Sequence, residues 1–252
     1  MRLTVIGCSG SLSGPDSAAS CYLVEAPHEG GMFRLLLDLG GGALGVLQTY
    51  VDLRTIGAVA FTHLHADHCL DLCGFYVVRK HHPEGHWGRI PAWGPPGIAR
   101  RMAGAYDIAP EPGMSAEFDF REYEGAPFTV GPFGIETIGV DHPVDAYALR
   151  VTHDGRTLVY SGDTAPCEAL VAIARGADVL LAEASFLEGA DNPEHLHLTG
   201  PEAATIATRA GVERLVLTHV PPWYDRETVL AEAAPHFAGP VEAARPGMVL
   251  TV

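Results

Sequence analysis

The chain has 252 residues, of which 47% are hydrophobic, and carries 16 Lys and Arg against 31 Asp and Glu, a net charge of −15. Affinity for nucleic acid rests on clustered Lys and Arg that displace counterions, so this balance argues against a polyphosphate partner. The apolar runs are strand-length, which predicts no membrane span, and Met1 to Ile6 open directly on a strand pattern that leaves no room for a signal peptide, so a cytoplasmic location is expected.

Strand patterns occur near residues 2–7, 20–25, 33–38 and 56–61. Gly7 to Gly14 lies between the first two; its spacing is not that of a dinucleotide loop and another strand follows, so it reads as a hairpin loop. Asp38-Leu39-Gly40-Gly41-Gly42 reads as a glycine turn. A helix is expected to begin near Ala66 and to carry Cys69, Leu70, Leu72, Cys73, Phe75, Tyr76 and Val77. Its basic end, Arg79-Lys80-His81-His82 continuing to His86 and Arg89, reads as a solvated helix end or, alternatively, a phosphate contact. Residues 83–127 read as mostly irregular, with a helix near 97–105. Strands resume near 133–140, 146–152 and 157–161, then a helix near 166–175 and a strand near 178–182. Thr199 caps a helix with Pro201 in its first turn and Gly211 at its end. A strand through Leu217, a helix from Arg226 to Phe237 and a strand near 247–251 complete the chain. No Pro- or Ser-rich spacer interrupts it, so one domain over 1–252 is expected. The five cysteines, Cys8, Cys21, Cys69, Cys73 and Cys167, form no CxxC pair, and neither a disulfide nor a zinc finger is assigned.

Thr62-His63-Leu64-His65-Ala66-Asp67-His68 packs three imidazoles and a carboxylate directly after the apolar run from Ile56 to Phe61. Imidazole and carboxylate suit Zn²⁺, Mn²⁺ or Fe²⁺, and a strand ending in a tight turn can aim alternate side chains at one point. His63 and His65 would face one metal, Asp67 and His68 a second. Two cations need more donors, and isolated ones recur past β-rich runs: His142 in Asp141-His142-Pro143, Asp163 in Ser161-Gly162-Asp163-Thr164, and His219 after Arg214 to Thr218.

This ordered set, HxHxDH then His, Asp and His, resembles the metallo-β-lactamase-fold superfamily of metal-dependent hydrolases across nearly the whole chain. The resemblance implies a four-layer αββα sandwich of two mixed β-sheets flanked by helices. It further implies that His63, His65 and His142 hold one divalent metal, that Asp67, His68 and His219 hold the other, with Zn foremost, and that Asp163 bridges them. Asp67 would also serve the catalytic step. Glu183-Ala184-Ser185-Phe186 and His197-Leu198-Thr199 resemble segments of the ribonuclease Z branch, where a catalytic His is supported by an acid; Glu183 and His197 fill those positions. His195 matches less well and is expected to be exposed.

Two departures separate the chain from the transfer-RNA processors of that branch. Only 20 residues lie between His142 and Asp163, too few for their protruding arm, and Val220-Pro221-Pro222-Trp223-Tyr224 replaces a Ser-Arg-Tyr continuation. The chain is most similar to a compact actinobacterial group described in part as atypical class II cyclic-nucleotide phosphodiesterases. That resemblance implies hydrolysis of a small phosphodiester, 3′,5′-cyclic AMP to 5′-AMP, by a metal-bridging hydroxide, and a homodimer. A ribonuclease Z-type endonuclease and a thioester or lactone hydrolase of the glyoxalase II type are the alternatives. Trp87, Trp93, Trp223 and Tyr224 are candidates to stack on a purine.

Overall fold

The computed structural model describes residues 1–252. The first half of the chain builds one sheet from β1 (Arg2–Ser9), β2 (Ala18–Ala19), β3 (Cys21–His28), β4 (Gly31–Leu37), β5 (Ala58–Ala60), β6 (Ile90–Gly94) and β7 (Phe118–Glu122). The second half builds the other from β8 (Phe128–Val130), β9 (Phe133–Gly139), β10 (Tyr147–His153), β11 (Arg156–Tyr160), β12 (Val179–Glu183), β13 (Arg214–Thr218) and β14 (Val241–Ala243). The last strand, β15 (Val249–Thr251), returns to pair with β1. The orders are β15-β1-β3-β4-β5-β6-β7, with β2 beside β1, and β14-β13-β12-β11-β10-β9-β8. Both sheets are mixed: β4 to β7 and β11 to β14 are parallel, the rest antiparallel except the short β1–β2 pairing.

Period-two alternation decides which side chains meet. Leu3, Val5, Tyr22, Val24, Leu35 and Leu37 face Ile135, Leu149, Val151, Leu158, Tyr160 and Leu181 in a buried apolar layer between the sheets. The intervening residues point outward: Ile6, Leu23 and Leu36 meet the helices on one side, Val159, Leu180 and Ala182 those on the other. Those helices are α1 (Ala43–Leu47), α2 (Ala66–Cys69), α3 (Leu72–His81) and α4 (Ile98–Ala105) against the first sheet, and α5 (Glu168–Ala174), α6 (Gly200–Ala210) and α7 (Arg226–Ala233) against the second. The result is the expected four-layer αββα sandwich. Each parallel step needs a crossover, and these helices supply it. Strand ends of both sheets therefore deliver Asp38, His63, Asp163, Glu183 and His219 to one edge.

Several local expectations need correction. The helix from Ala66 is broken at Leu70–Asp71, because Asp71 N–H donates to Leu39 C=O (3.2 Å) and its carboxylate accepts from Leu44 N–H (2.8 Å), which pulls the β4–α1 turn into the gap. That turn can approach only because position 40 is glycine: a Cβ there would lie 1.8 Å from the Asp67 carbonyl oxygen. The stretch 83–127 holds two strands besides its helix, β6 and β7, and Pro91 masks the signal of β6. Gly7 to Gly14 does lie in the connection between two antiparallel strands, as expected of a hairpin loop, but β1 runs on to Ser9 and the short β2 is inserted before β3. Helix α7 stops at Ala233 and continues only as a single tight turn through Pro235, which has no N–H to extend it. Arg79 is neither solvated nor free for phosphate: it is buried, with its guanidinium over the rings of Phe75 (5.3 Å) and Phe118 (5.8 Å). All five cysteines are free. No helix is long and apolar enough to cross a membrane.

Candidate metal centre

The structure brings all seven expected ligands together at the strand-end edge. His63 Nε2, His65 Nδ1, His142 Nε2 and an Asp163 oxygen form one group; Asp67, His68, His219 and Asp163 form another, with ligand atoms within 4.8 Å of one another in each. In the first, His65 Nδ1 lies 3.0 Å from His63 Nε2 and 3.3 Å from His142 Nε2, and Asp163 Oδ2 is 3.7 Å from His63 Nε2. In the second, His219 Nε2 lies 3.1 Å from both His68 Nε2 and Asp67 Oδ2, and Asp163 Oδ1 is 3.2 Å from His68 Nε2. The two oxygens of Asp163 thus face different groups.

The outer nitrogens decide what the inner ones can do. His68 Nδ1–H donates to Asp38 Oδ2 (2.7 Å), His142 Nδ1–H to Leu196 C=O (2.9 Å) and His219 Nδ1–H to Ser185 Oγ (2.8 Å). Thr62 Oγ1 donates to Asp38 Oδ2 (2.8 Å) and so accepts from His63 Nδ1–H (3.1 Å). Each of these rings has an N–H fixed outward at Nδ1, which aims its Nε2 inward as the atom that would meet a cation. Converging lone pairs cannot satisfy one another, and Asp163 Oδ1 is buried without a directed hydrogen bond. Four donors around a tetrahedral Zn²⁺ at about 2.0–2.1 Å stand roughly 3.3 Å apart, so the observed spacings fit divalent cations in both groups.

Charge tells the same story. Burial, and then the neighbouring imidazoles, hold the pKa values of His63, His65 and His142 below the ordinary histidine range, which favours the neutral form a cation would need. Burial also opposes a proton on His68, but the carboxylates of Asp163 and Asp38 outweigh it and raise His68 well above the usual value. Burial would likewise raise Asp163, yet His219, His68 and His63 hold it well below the carboxylate range. A proton on His68 stands where a cation would neutralise the same acids.

Beside this ring, His197 Nδ1–H donates to Glu183 Oε1 at 2.8 Å and stands 4.0 Å from Asp163 Oδ2. Glu183 is fully buried and its remaining valences are filled by Thr164 N–H (2.8 Å) and Ser185 Oγ–H (2.8 Å). Ser185 therefore joins the acid under His197 to the ligand His219. His195 is 73% exposed, as expected, and meets Asp141 Oδ2 at 2.7 Å.

Two participants were not anticipated. Asp38 is buried at a left-handed φ of 58° and accepts from His68, from Thr62 N–H (2.7 Å) and Oγ1, and from Tyr160 O–H (2.9 Å). Ser185 orients His219. An acid closing β4 ahead of three glycines was the available signal for Asp38; Ser185 stood inside the Glu183–Phe186 segment, with no role of its own assigned. Of the candidate aromatics, Trp93 is stacked on Phe128 (3.8 Å) and Trp87 lies against His82 (4.9 Å), whereas Trp223 is 60% exposed with Tyr224 beside it.

The family model described as beta-lactamase superfamily domain matches residues 34–220. The chain belongs to that superfamily. An uncharacterised protein of Mycobacterium leprae is 46% identical, covering 96% of this chain and 86% of its own length. The probable metallo-hydrolase YhfI of Bacillus subtilis is 30% identical over 99% of both chains, and the crystal structure of this metallo-β-lactamase-fold protein superimposes with a TM-score of 0.88 at 28% identity over 99% of both. A ribonuclease Z of Myxococcus xanthus is 29% identical over 99% of this chain and 97% of its own. This superfamily member is accordingly a metal-dependent hydrolase of the metallo-β-lactamase fold.

Proposed function

We propose that the chain is a phosphodiesterase acting on a small phosphodiester, with 3′,5′-cyclic AMP as the first candidate. The observation that carries this reading is the Glu183–His197 pair beside the ligand ring. A carboxylate on Nδ1 keeps a proton available at Nε2, the arrangement of a general acid. A departing ribose alkoxide needs that proton, whereas a thiolate, whose conjugate acid has a pKa of about 8.5, leaves without one. The pair would therefore be idle in a thioester hydrolase.

When bound, two divalent cations held by His63, His65, His142, Asp67, His68, His219 and Asp163 would lower the pKa of a water and offset charge on the phosphoryl oxygens; Zn is favoured, with Mn or Fe suited to the same donors. Glu183 fixes the His197 ring and its charge. His197 gives its Nε2 proton to the leaving oxygen, a contribution of about 10² to 10⁴ in rate. Asp38, Leu196 C=O and Ser185 hold three ligand rings in the tautomer that points Nε2 inward.

The ribonuclease Z reading has one observation in its favour, the likeness to the Myxococcus protein of that name. Against it, only the β10–β11 hairpin and its flanking turns lie between His142 and Asp163, so tRNA would have to be held on a surface of net charge −15. Turnover of metal-quantified protein on cyclic AMP, bis-p-nitrophenyl phosphate, a tRNA precursor and a thioester, with Asp163→Ala as blank, separates the readings. Cyclic AMP hydrolysis that vanishes in the blank is the expected result; cleavage of the tRNA precursor alone would overturn it. His197→Ala should keep both metals and lose most turnover. A homodimer completes the proposal and is checked by light scattering.

A further inference from the structure

His195 is unusual in two ways. It is largely exposed, so burial gives it nothing, and it holds a left-handed backbone (φ 58°), uncommon outside glycine though His, Asn and Asp enter it more readily than other residues. Its one side-chain partner is Asp141. Asp141 is firmly anchored: its N–H donates to Thr164 Oγ1 (3.2 Å) and its carbonyl accepts from Ala165 N–H (2.7 Å), next to the ligand Asp163.

The loop that carries His195 is pinned at its base, where Phe186 N–H donates to Leu198 C=O (3.0 Å). Near its start Asn192 Nδ2–H donates to Leu187 C=O (2.9 Å) and Glu188 N–H to Glu232 Oε2 (3.1 Å). Past Asn192, three side chains tie it to the rest of the site: His195 to Asp141, His142 to the Leu196 carbonyl, and His197 to Glu183. Three consecutive residues, 195 to 197, thus reach three different anchors, and the same segment walls a cavity of about 360 Å³ with Asp141, Pro166 and Phe186.

We infer that His195 is a positioning residue: paired with Asp141, it latches the 187–198 loop so that the Leu196 carbonyl meets His142 and His197 meets Glu183 in register. The inference rests on His197 being the acid of the reaction proposed above. An ion pair this exposed is screened by solvent and adds little to global stability, so removing it should leave folding almost untouched and show instead as a misplaced loop. A ring displaced by even a fraction of an ångström from its productive position loses rate, which makes the loop's register the quantity at stake.

The test uses metal-quantified His195→Ala, Asp141→Ala and the double variant, with His195→Asn as rescue, because Asn tolerates the left-handed backbone and keeps an N–H donor. Amide hydrogen exchange of 187–198 is read first, without substrate, and then kcat and KM on bis-p-nitrophenyl phosphate. Both single alanine variants should exchange faster in this segment alone and lose about fivefold in kcat at unchanged KM, metal content and Tm. The double variant should be no worse than either, and His195→Asn should recover most of the rate. Unchanged exchange in both alanine variants overturns the latch. Faster exchange with unchanged kcat, or a kcat loss that tracks lost metal or lowered Tm, overturns the positioning role. A protein inert on every phosphodiester sinks the functional reading instead, and the exchange result then judges the latch alone.

Discussion

Asp38 spends all of its acceptor capacity on four donors, and three of them belong to residues that shape the metal centre: His68, the Thr62 backbone and the Thr62 hydroxyl. Asp38→Asn turns one acceptor oxygen into an N–H₂ aimed at donors, leaving buried groups unsatisfied at about 1–3 kcal/mol. It should also free the His68 ring and lower metal affinity about 10- to 100-fold, readable by competition with a chromogenic chelator. His197 has a pH signature. In the metal-free protein burial opposes its charge, but Glu183 outweighs burial and holds its pKa at about 9, against 6.5 for the free side chain. A raised folded-state pKa means the pair stabilises fully below about pH 6.5 and loses that stabilisation as pH climbs through about 9. Glu183→Gln should therefore lower the Tm of metal-free protein more at pH 6 than at pH 10; an equal drop at both would show that the pair does not titrate in this way. The seven side chains that the structure gathers at one edge were legible in the sequence because coordination demands particular residue types at strand ends. Asp38, Ser185 and the Leu196 carbonyl were not, because any acceptor can fill such roles and their partners lie 30, 34 and 54 residues away.

At the scale of elements, legibility followed the strength of local signals. Helix α6 was read correctly at both ends because its start is chemically explicit: Thr199 Oγ1 accepts from Glu202 N–H (3.3 Å) while Glu202 Oε2 accepts from Thr199 N–H (2.8 Å), and Gly211 closes it at φ 65°. Thr199→Ala should cost about 1 kcal/mol, or roughly 2–4 °C in Tm for a chain of this size, measured calorimetrically on metal-loaded protein. The break between α2 and α3 was illegible because its cause is a turn from β4 that arrives from thirty residues earlier. Strands β6 and β7 were missed for the opposite reason: Phe118-Asp119-Phe120-Arg121-Glu122 carries a period-two pattern, but the glycines and prolines around it drew the whole stretch toward loop.

For the whole molecule, cation binding and folding should be one equilibrium. The donors come from both halves of the chain, and His68 must give up its proton to a cation, so loading should release protons and weaken as pH falls. Exhaustive chelation should lower the Tm, and Zn²⁺ at about a thousandfold over its Kd should restore about 4 kcal/mol; a Tm indifferent to chelator would mean that the folded state holds no cation. The division of labour between the halves has one more consequence. Residues up to Glu122 build one sheet and residues from Phe128 the other, joined across the exposed stretch 124–127, while β15 crosses back to pair with β1. A chain cut within 124–127 therefore yields one piece with four of the seven candidate ligands (His63, His65, Asp67, His68) and another with three (His142, Asp163, His219) plus the strand β15 that completes the first sheet, and they should reassemble from separate solutions with the metals acting as rivets between them.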